Sequence, residues 1–347
     1  MQRILSKSRL VAFRQCPKRL WLEVHRPDLR EDSASAQTRL AAGNEVGDIA
    51  RRLFDPKSKG VLVEPHEVGL DAAFAQSRVL LQNAQPIFEA GFQANGVRAF
   101  ADVMLPVKTR GKLAWKMVEV KSSSSVKDYH LDDAAIQMFA ARAEGVALHS
   151  VSIAHIDSSW VYPGGGAYDG LLTQVDVTEE AAGRQGDVAA WLAGAQKVIA
   201  CRVEPKIAMS GHCNDPFECG FATYCQGLVP AAKHPIAQLP GSLKKALQAL
   251  IQEEGLTELG DVPEEHLSER QRRVRTAALT GKTFFDQKGA RAALQAQKLP
   301  AYFMDFETIN FAVPIWKGTR PYQQIPFQFS VHRLSRSGKL EHHGFLH

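Results

Sequence analysis

Glu119 interrupts an apolar run, Met117-Val118-Glu119-Val120, inside the segment 113–120, LAWKMVEV. A run of this kind reads as a strand of a buried sheet, where an unpaired carboxylate is costly. Residues 101–105, ADVML, read as a strand just upstream, and the basic, glycine-containing turn KTRGK (108–112) joins the two as a hairpin. Pairing would then set Asp102, near the start of one strand, beside Glu119, near the end of the other. Lys121 follows Glu119 by two residues and so shares its face. A helix expected over 131–144 places Gln137 above the same point. Two carboxylates suit a hard cation through oxygen, and an ammonium can orient or deprotonate an attacking water. This set therefore points to metal-dependent phosphodiester hydrolysis.

The chain is long enough, at 347 residues, for two domains. Its 45% hydrophobic and 23% charged content fits a water-soluble globular protein. No apolar run approaches the ~20 residues of a membrane span, and MQRILSKSRL lacks an apolar signal core. A cytoplasmic protein without a membrane partner is expected. The net charge of +5 is compatible with a nucleic-acid partner, DNA foremost and RNA not excluded.

The Asp102…Glu119-x-Lys121 spacing, followed by Gln137, resembles the PD-(D/E)xK nuclease superfamily. The opening segment, Leu5-Ser6-Lys7-Ser8…Cys16-Pro17-Lys18-Arg19-Leu20-Trp21-Leu22, resembles the RecB-like members that carry an iron–sulfur cluster, among them CRISPR-adaptation and AddB-like nucleases. The resemblance implies a restriction-endonuclease-like α/β core, a mixed central sheet flanked by helices. It implies Asp102, Glu119 and the Val120 main-chain carbonyl as ligands of Mg²⁺ or Mn²⁺, with Lys121 and Gln137 completing the catalytic set. The basic turn Lys108–Lys112 and Lys127 are candidates for phosphate contact. Two departures stand out. Gly47 occupies the place of a metal-binding His in the helix expected over 39–54, where Glu45 or Asp48 could substitute. Ala141 stands where a Q-x-x-x-Y tyrosine is usual, and Tyr129 could fill part of that space. Glu89, at the start of a strand ending near Gln93, is a further candidate for the metal site or its support.

Five cysteines are present, and three fall close together in CNDPFECGFATYC as Cys213, Cys219 and Cys225. Clustered thiols in a cytosolic chain suggest zinc or an iron–sulfur cluster rather than disulfides, and their spacing alone does not choose between the two. The resemblance favours [4Fe–4S] on Cys16, Cys213, Cys219 and Cys225, with Zn²⁺ as the alternative. Both C-terminal spacings are C-x(5)-C, where the family usually has a C-x(2)-C step. Cys201 is left as a spare thiol. The glycine-rich stretch WVYPGGGAYDG (160–170) lacks the pattern of a phosphate loop and reads as a plain loop.

The remainder divides in two. Residues 231–298 read as a helical connector in which LQALIQEEGLTELGDVP has the look of a helix-hairpin-helix unit, able to contact a DNA backbone through turn amides. Residues 299–347 start a new pattern. Tyr302-Phe303-Met304-Asp305-Phe306-Glu307-Thr308 is an apolar strand with Asp305 and Glu307 on one face, and PFQFSVHRL and KLEHHGFL make a hairpin around SRSG. This resembles the opening of a DnaQ-like exonuclease of RNase H-like fold, whose D-x-E motif binds metal. The chain ends at His347, before the later acids such a fold requires, so this second site is expected to be incomplete or completed by a partner. The expected division is thus a nuclease domain over 1–230, a connector over 231–298 and the start of a DnaQ-like domain over 299–347. The expected function is a metal-dependent DNA nuclease acting on single strands or duplex ends, in repair, recombination or defence. The alternative is a catalytically impaired nucleic-acid-binding module with a structural iron–sulfur or zinc site.

Overall fold

The computed structural model describes residues 3–228 and 232–347. It divides into two units, Met1–Thr223 with Ile309–Ile325, and Tyr224–Thr308 with Pro326–His347. The boundary expected at 230/231 lies outside the described residues. Both units mix helix and sheet, as the sequence led one to expect: a mixed central sheet flanked by helices, and a separate small sheet.

In the first unit the elements run β1 (Leu5–Ser6), α1 (Lys7–Gln15), α2 (Pro17–His25), α3 (Ala34–Phe54), β2 (Val61–Leu62), α4 (Pro65–Val68), α5 (Leu70–Leu80), β3 (Ile87–Ala94), β4 (Val97–Thr109), β5 (Lys112–Lys121), α6 (Asp128–Ala143), β6 (Leu148–Ile156), β7 (Leu172–Asp176), α7 (Thr178–Gly183) and α8 (Gln185–Ala200). The sheet order is β2-β3-β4-β5-β6-β7, with β1 added parallel to β4. Strands β3, β4 and β5 are antiparallel neighbours, whereas β5 and β6 run parallel, joined by α6 as crossover. The β4–β5 turn is the basic one read in the sequence. Arg110 (φ 49°) and Gly111 (φ 78°) both take left-handed backbone, as a two-residue hairpin turn demands.

Ser6 caps α1 by accepting from the Arg9 N–H at 3.3 Å. Cys16, in extended backbone, ends α1, and Pro17 starts α2 at a first-turn position where no amide donor is needed. The segment from Lys7 to His25 is therefore two helices. Gly183 and Arg184 likewise separate α7 from α8. One face of the sheet, with Met104, Met117 and Ile153, packs against the small and branched residues of α6 (Ala134, Ala135, Met138, Ala141) and against Leu10 of α1. On the opposite side Val103, Val118 and Phe88 pack with Phe54 at the end of α3. Residues 309–325 dock on the 160–170 loop. Tyr162 N–H donates to Thr319 O at 2.9 Å, the Tyr168 hydroxyl bonds Pro314 O at 3.2 Å, and Ala312 and Val313 are buried beside Val46 and Ile49.

Helix α9 (Ala222–Gly227) carries the chain into the second unit, which holds α10 (Lys245–Glu254), α11 (Glu269–Thr280) and α12 (Gln287–Gln295). After α10, Gly255 turns left-handed (φ 65°) and the expected second helix is only a 3-10 turn, Leu259–Asp261, which Pro263 keeps from lengthening. Ile236, Leu247, Leu259 and Leu267 form a small core. Strands β8 (Ala301–Ile309), β9 (Ile325–Leu334) and β10 (Leu340–Leu346) make a three-stranded sheet of order β10-β9-β8, with β9 and β10 antiparallel around the SRSG turn. Among the described residues no helix is long and apolar enough to cross a membrane.

Candidate active site

Three carboxylates stand side by side across three strands. Phe88↔Val103 and Ala90↔Ala101 flank the position where Glu89 faces Asp102. One step beyond Val103↔Val118, Glu119 falls on the other side of Asp102. There the ladder stops, because the Val120 N–H donates to Asp102 Oδ2 at 2.6 Å instead of to a strand carbonyl, and β5 continues beside β6. Glu89 holds left-handed backbone (φ 55°), a strained conformation for a residue with a side chain and one that concentrates at functional sites.

Glu119 is the hub. It is only 2% exposed, and its Oε1 accepts from Lys121 Nζ at 2.8 Å and from Lys7 Nζ at 2.7 Å. Its Oε2 accepts from Gln137 Nε2, which also donates to Phe100 O at 2.9 Å. Lys121 Nζ bonds Asp133 in addition. Asp133 and Gln137, four apart on α6, lie on the same helix face. Gln137 Oε1 is buried without a hydrogen-bond partner among the described residues, an acceptor left open at the site.

The charges are uneven. Burial raises the Asp102 carboxyl well above its usual range and neighbouring Glu119 adds to it. Glu89 moves up for the same two reasons. Burial also disfavours ionised Glu119, but Lys121 and Lys7 outweigh it and hold this carboxyl well below the usual range. Both lysines lose stability as cations through burial, yet Glu119 and Asp133 more than restore it, so both stay protonated. Next to them His130, 1% exposed, is pushed down to about 4 by burial first and Lys121 second. Its Nδ1 accepts from the Lys127 N–H at 3.0 Å.

In front of this row lies a cleft of 510 Å³ lined by Gly43, Asn44, Gly47, Asp48 and Arg51 of α3 and by Glu89, Asp102 and Glu119. Gly47 faces the acids, with nothing within 4 Å of where its Cβ would stand. Asp48 lines the cleft and pairs with Arg51, whereas Glu45 is exposed and does not line it. Tyr129 packs edge-on against His130 and Phe217, with ring centroids 4.2 and 4.9 Å apart. The turn Lys108–Lys112 is far off: six register steps separate Val103↔Val118 from Thr109↔Lys112, about 20 Å of strand.

The structure thus gathers Asp102, Glu119, Lys121, Gln137 and Glu89 into one neighbourhood and adds Lys7 and Asp133, which the sequence reading missed. Asp133 carried a signal, its i, i+4 relation to Gln137. Lys7 carried none, since its place depends on the two-residue strand β1.

The thiols occupy a second neighbourhood. The Cys219 N–H donates to Cys213 O at 2.8 Å. Gln15 Nε2, next to Cys16, donates to His212 O at 2.7 Å and Phe217 O at 2.6 Å, tying the end of α1 to the cysteine segment. Burial raises the Cys219 thiol, and Cys213 and Cys16 push it the same way, which places them near Cys219. Cys225 sits on α9, and exposed Cys201 ends α8. Among the described residues no group of three or more His, Cys, Asp or Glu side chains is drawn together tightly enough, as placed, to hold a metal ion. Asp305 and Glu307 are exposed on β8, an outer strand of the small sheet.

Comparison with curated proteins returns no match. Residues 302–347, which contain nearly all of the three-stranded sheet, match the model of a domain of unknown function, DUF2779.

Proposed function

We propose that the first unit is a divalent-metal-dependent nuclease of the PD-(D/E)xK type, acting on single-stranded DNA or duplex ends. The observation that carries this reading is the row Glu89–Asp102–Glu119 in front of an open cleft, with Lys121 on the Glu119 face and Gln137 on its second oxygen. The donor set suits a hard cation. Half-buried Asp102 and Glu89 resist ionisation where they stand, and Gln137 Oε1 is open to a donor. Asp102, Glu119 and the Val120 carbonyl would hold Mg²⁺ or Mn²⁺, with Glu89 as support, and the ion would supply Lewis acidity toward phosphate and water. Lys121, kept cationic, would position the attacking water and face the charge that develops on phosphorus oxygens. Asp133 fixes the Lys121 ammonium, and Gln137 fixes the Glu119 carboxylate. Lys7 adds a second cation on the same carboxylate oxygen, where a phosphate could also be met.

Cys16, Cys213, Cys219 and Cys225 would hold a [4Fe–4S] cluster, or Zn²⁺, as a structural tie; the effect of Cys213 and Cys16 on the Cys219 thiol supports this. Strands β8–β10, with Asp305-x-Glu307, would be the start of a DnaQ-like RNase H-fold domain. Gly47 favours a second reading, a binding module without turnover, because a family His ligand would stand there.

Anaerobic purification, a visible spectrum, and incubation with labelled single-stranded and duplex DNA under Mg²⁺ or Mn²⁺ test these together. A brown protein whose metal-dependent cleavage disappears in Lys121→Ala supports the nuclease. A brown, inert protein that still binds DNA supports the module, and cleavage unaffected by Lys121→Ala refutes the site.

A further inference from the structure

We propose that residues 267–298 of the second unit form a docking surface for single-stranded nucleic acid, separate from the acidic site. This stretch carries eight lysines and arginines against two acids, more than the whole chain's net charge of +5. The chain's positive balance is therefore local. Two of the arginines are engaged in the fold. Arg272 donates to Glu264 O and Leu267 O, and Arg275 to Leu259 O, Gly260 O and the Glu264 carboxylate. The others face outward, and Arg270, Lys282, Lys288 and Arg291 pair with no acid among the described residues.

Aromatic rings are set among these cations. Between α11 and α12, Phe284 and Phe285 are 54% and 73% exposed. Arg273 lies over the Phe284 ring at 4.7 Å, and with Arg270, Lys282 and Thr283 these residues line an open cleft of 610 Å³. Two consecutive phenylalanines held in water are costly unless a partner covers them. Cations at intervals meet a phosphodiester backbone, while open rings offer a stacking face to unpaired bases, which a duplex keeps hidden. An acidic protein surface would use the cations but leave the rings without a reason.

The test is fluorescence anisotropy of the full-length chain with a fluorescein-labelled oligothymidylate and with a duplex of equal length, in EDTA so that nothing is cut. Lys282→Glu/Lys288→Glu should weaken single-strand binding at least about tenfold and flatten its salt dependence by about 0.7 in log–log slope per lost contact. Phe284→Ala and Phe285→Ala should each weaken binding of the oligothymidylate by about fivefold or more and leave duplex binding unchanged. All four side chains are solvent-facing, so unchanged circular dichroism is expected. The proposal is overturned if the charge variant binds as wild type does. It is overturned equally if the Phe variants lose nothing, or if polyglutamate competes as well as oligothymidylate at equal charge, which would assign the surface to an acidic protein. Because binding is read without turnover, an inactive acidic site leaves this test intact.

Discussion

Asp102 and Glu119 are neighbouring carboxylates, yet only the removal of Glu119 should cost stability. Glu119→Gln keeps the shape but strips the charge that Lys7 and Lys121 share, leaving Asp133, among the described residues, as the only acid bonded to either ammonium. Breaking a buried ion pair on one side costs about 3–5 kcal/mol. With the lysine side chains 24% and 18% exposed, the lower end applies, about 3 kcal/mol. Asp102→Asn behaves differently, because Asn Oδ1 can still accept from the Val120 N–H. Burial, reinforced by Glu119, raises the Asp102 carboxyl in the folded state, so ionised Asp102 subtracts from stability above its unfolded value. At pH 7 the asparagine variant should be as stable as wild type or more so. Urea unfolding in EDTA at pH 7 measures both. The chain's five tryptophans, Trp21, Trp115, Trp160, Trp191 and Trp316, all lie in the first unit, so their fluorescence reports its unfolding alone. Glu119→Gln should lower the midpoint by about 1 M urea or more, and Asp102→Asn should hold or raise it. Equal losses in the two variants, or no loss in Glu119→Gln, would refute the assigned charge states.

Three further outcomes follow from the same geometry. His130 is neutral when folded down to about pH 4 but takes up a proton near 6.5 when unfolded, so it should erode stability as pH falls from about 6.5 to 4; melting curves of wild type and His130→Gln should diverge in that window and run parallel above it. Gly91→Ala drives a methyl to 2.7 Å from both Phe74 and Phe100, a stacked pair, and should cost about 1–3 kcal/mol by chemical denaturation; a neutral change would mean the rings yield freely. Gly47→His has room at its Cβ and faces the acids, so calorimetric titration should show tighter Mn²⁺ binding than wild type; unchanged affinity would contradict the placement of α3 at the cleft.

The acidic hairpin was legible because its signals are local. Alternating apolar residues fix the faces of β4 and β5, and Arg110-Gly111 fixes the turn and hence the register that sets Asp102 beside Glu119. Gln137 was legible as one position on a helix. Lys7 was not, because it is placed by β1, whose two residues pair with Val97 and Arg98, on the part of β4 beyond the Val103↔Val118 pair where β5 leaves it, and two residues carry no periodicity. Residues 309–325 read as part of the C-terminal pattern, yet their contacts are with Tyr162 and Tyr168, about 150 residues earlier. Contacts closed over such a distance leave no mark on the local pattern. Phe284 and Phe285 attracted no notice in the sequence, since only exposure distinguishes them from core residues.

The central claim, that Asp102 belongs to a hydrolytic metal site, is tested most directly by single-turnover cleavage of labelled single-stranded DNA with Mn²⁺, wild type beside Asp102→Asn. This variant is expected to keep its fold, so lost activity cannot be ascribed to unfolding. The account predicts cleavage by wild type and a fall of at least about a hundredfold in the variant. Equal rates in the two proteins, or a wild type inert with both Mn²⁺ and Mg²⁺, would contradict it.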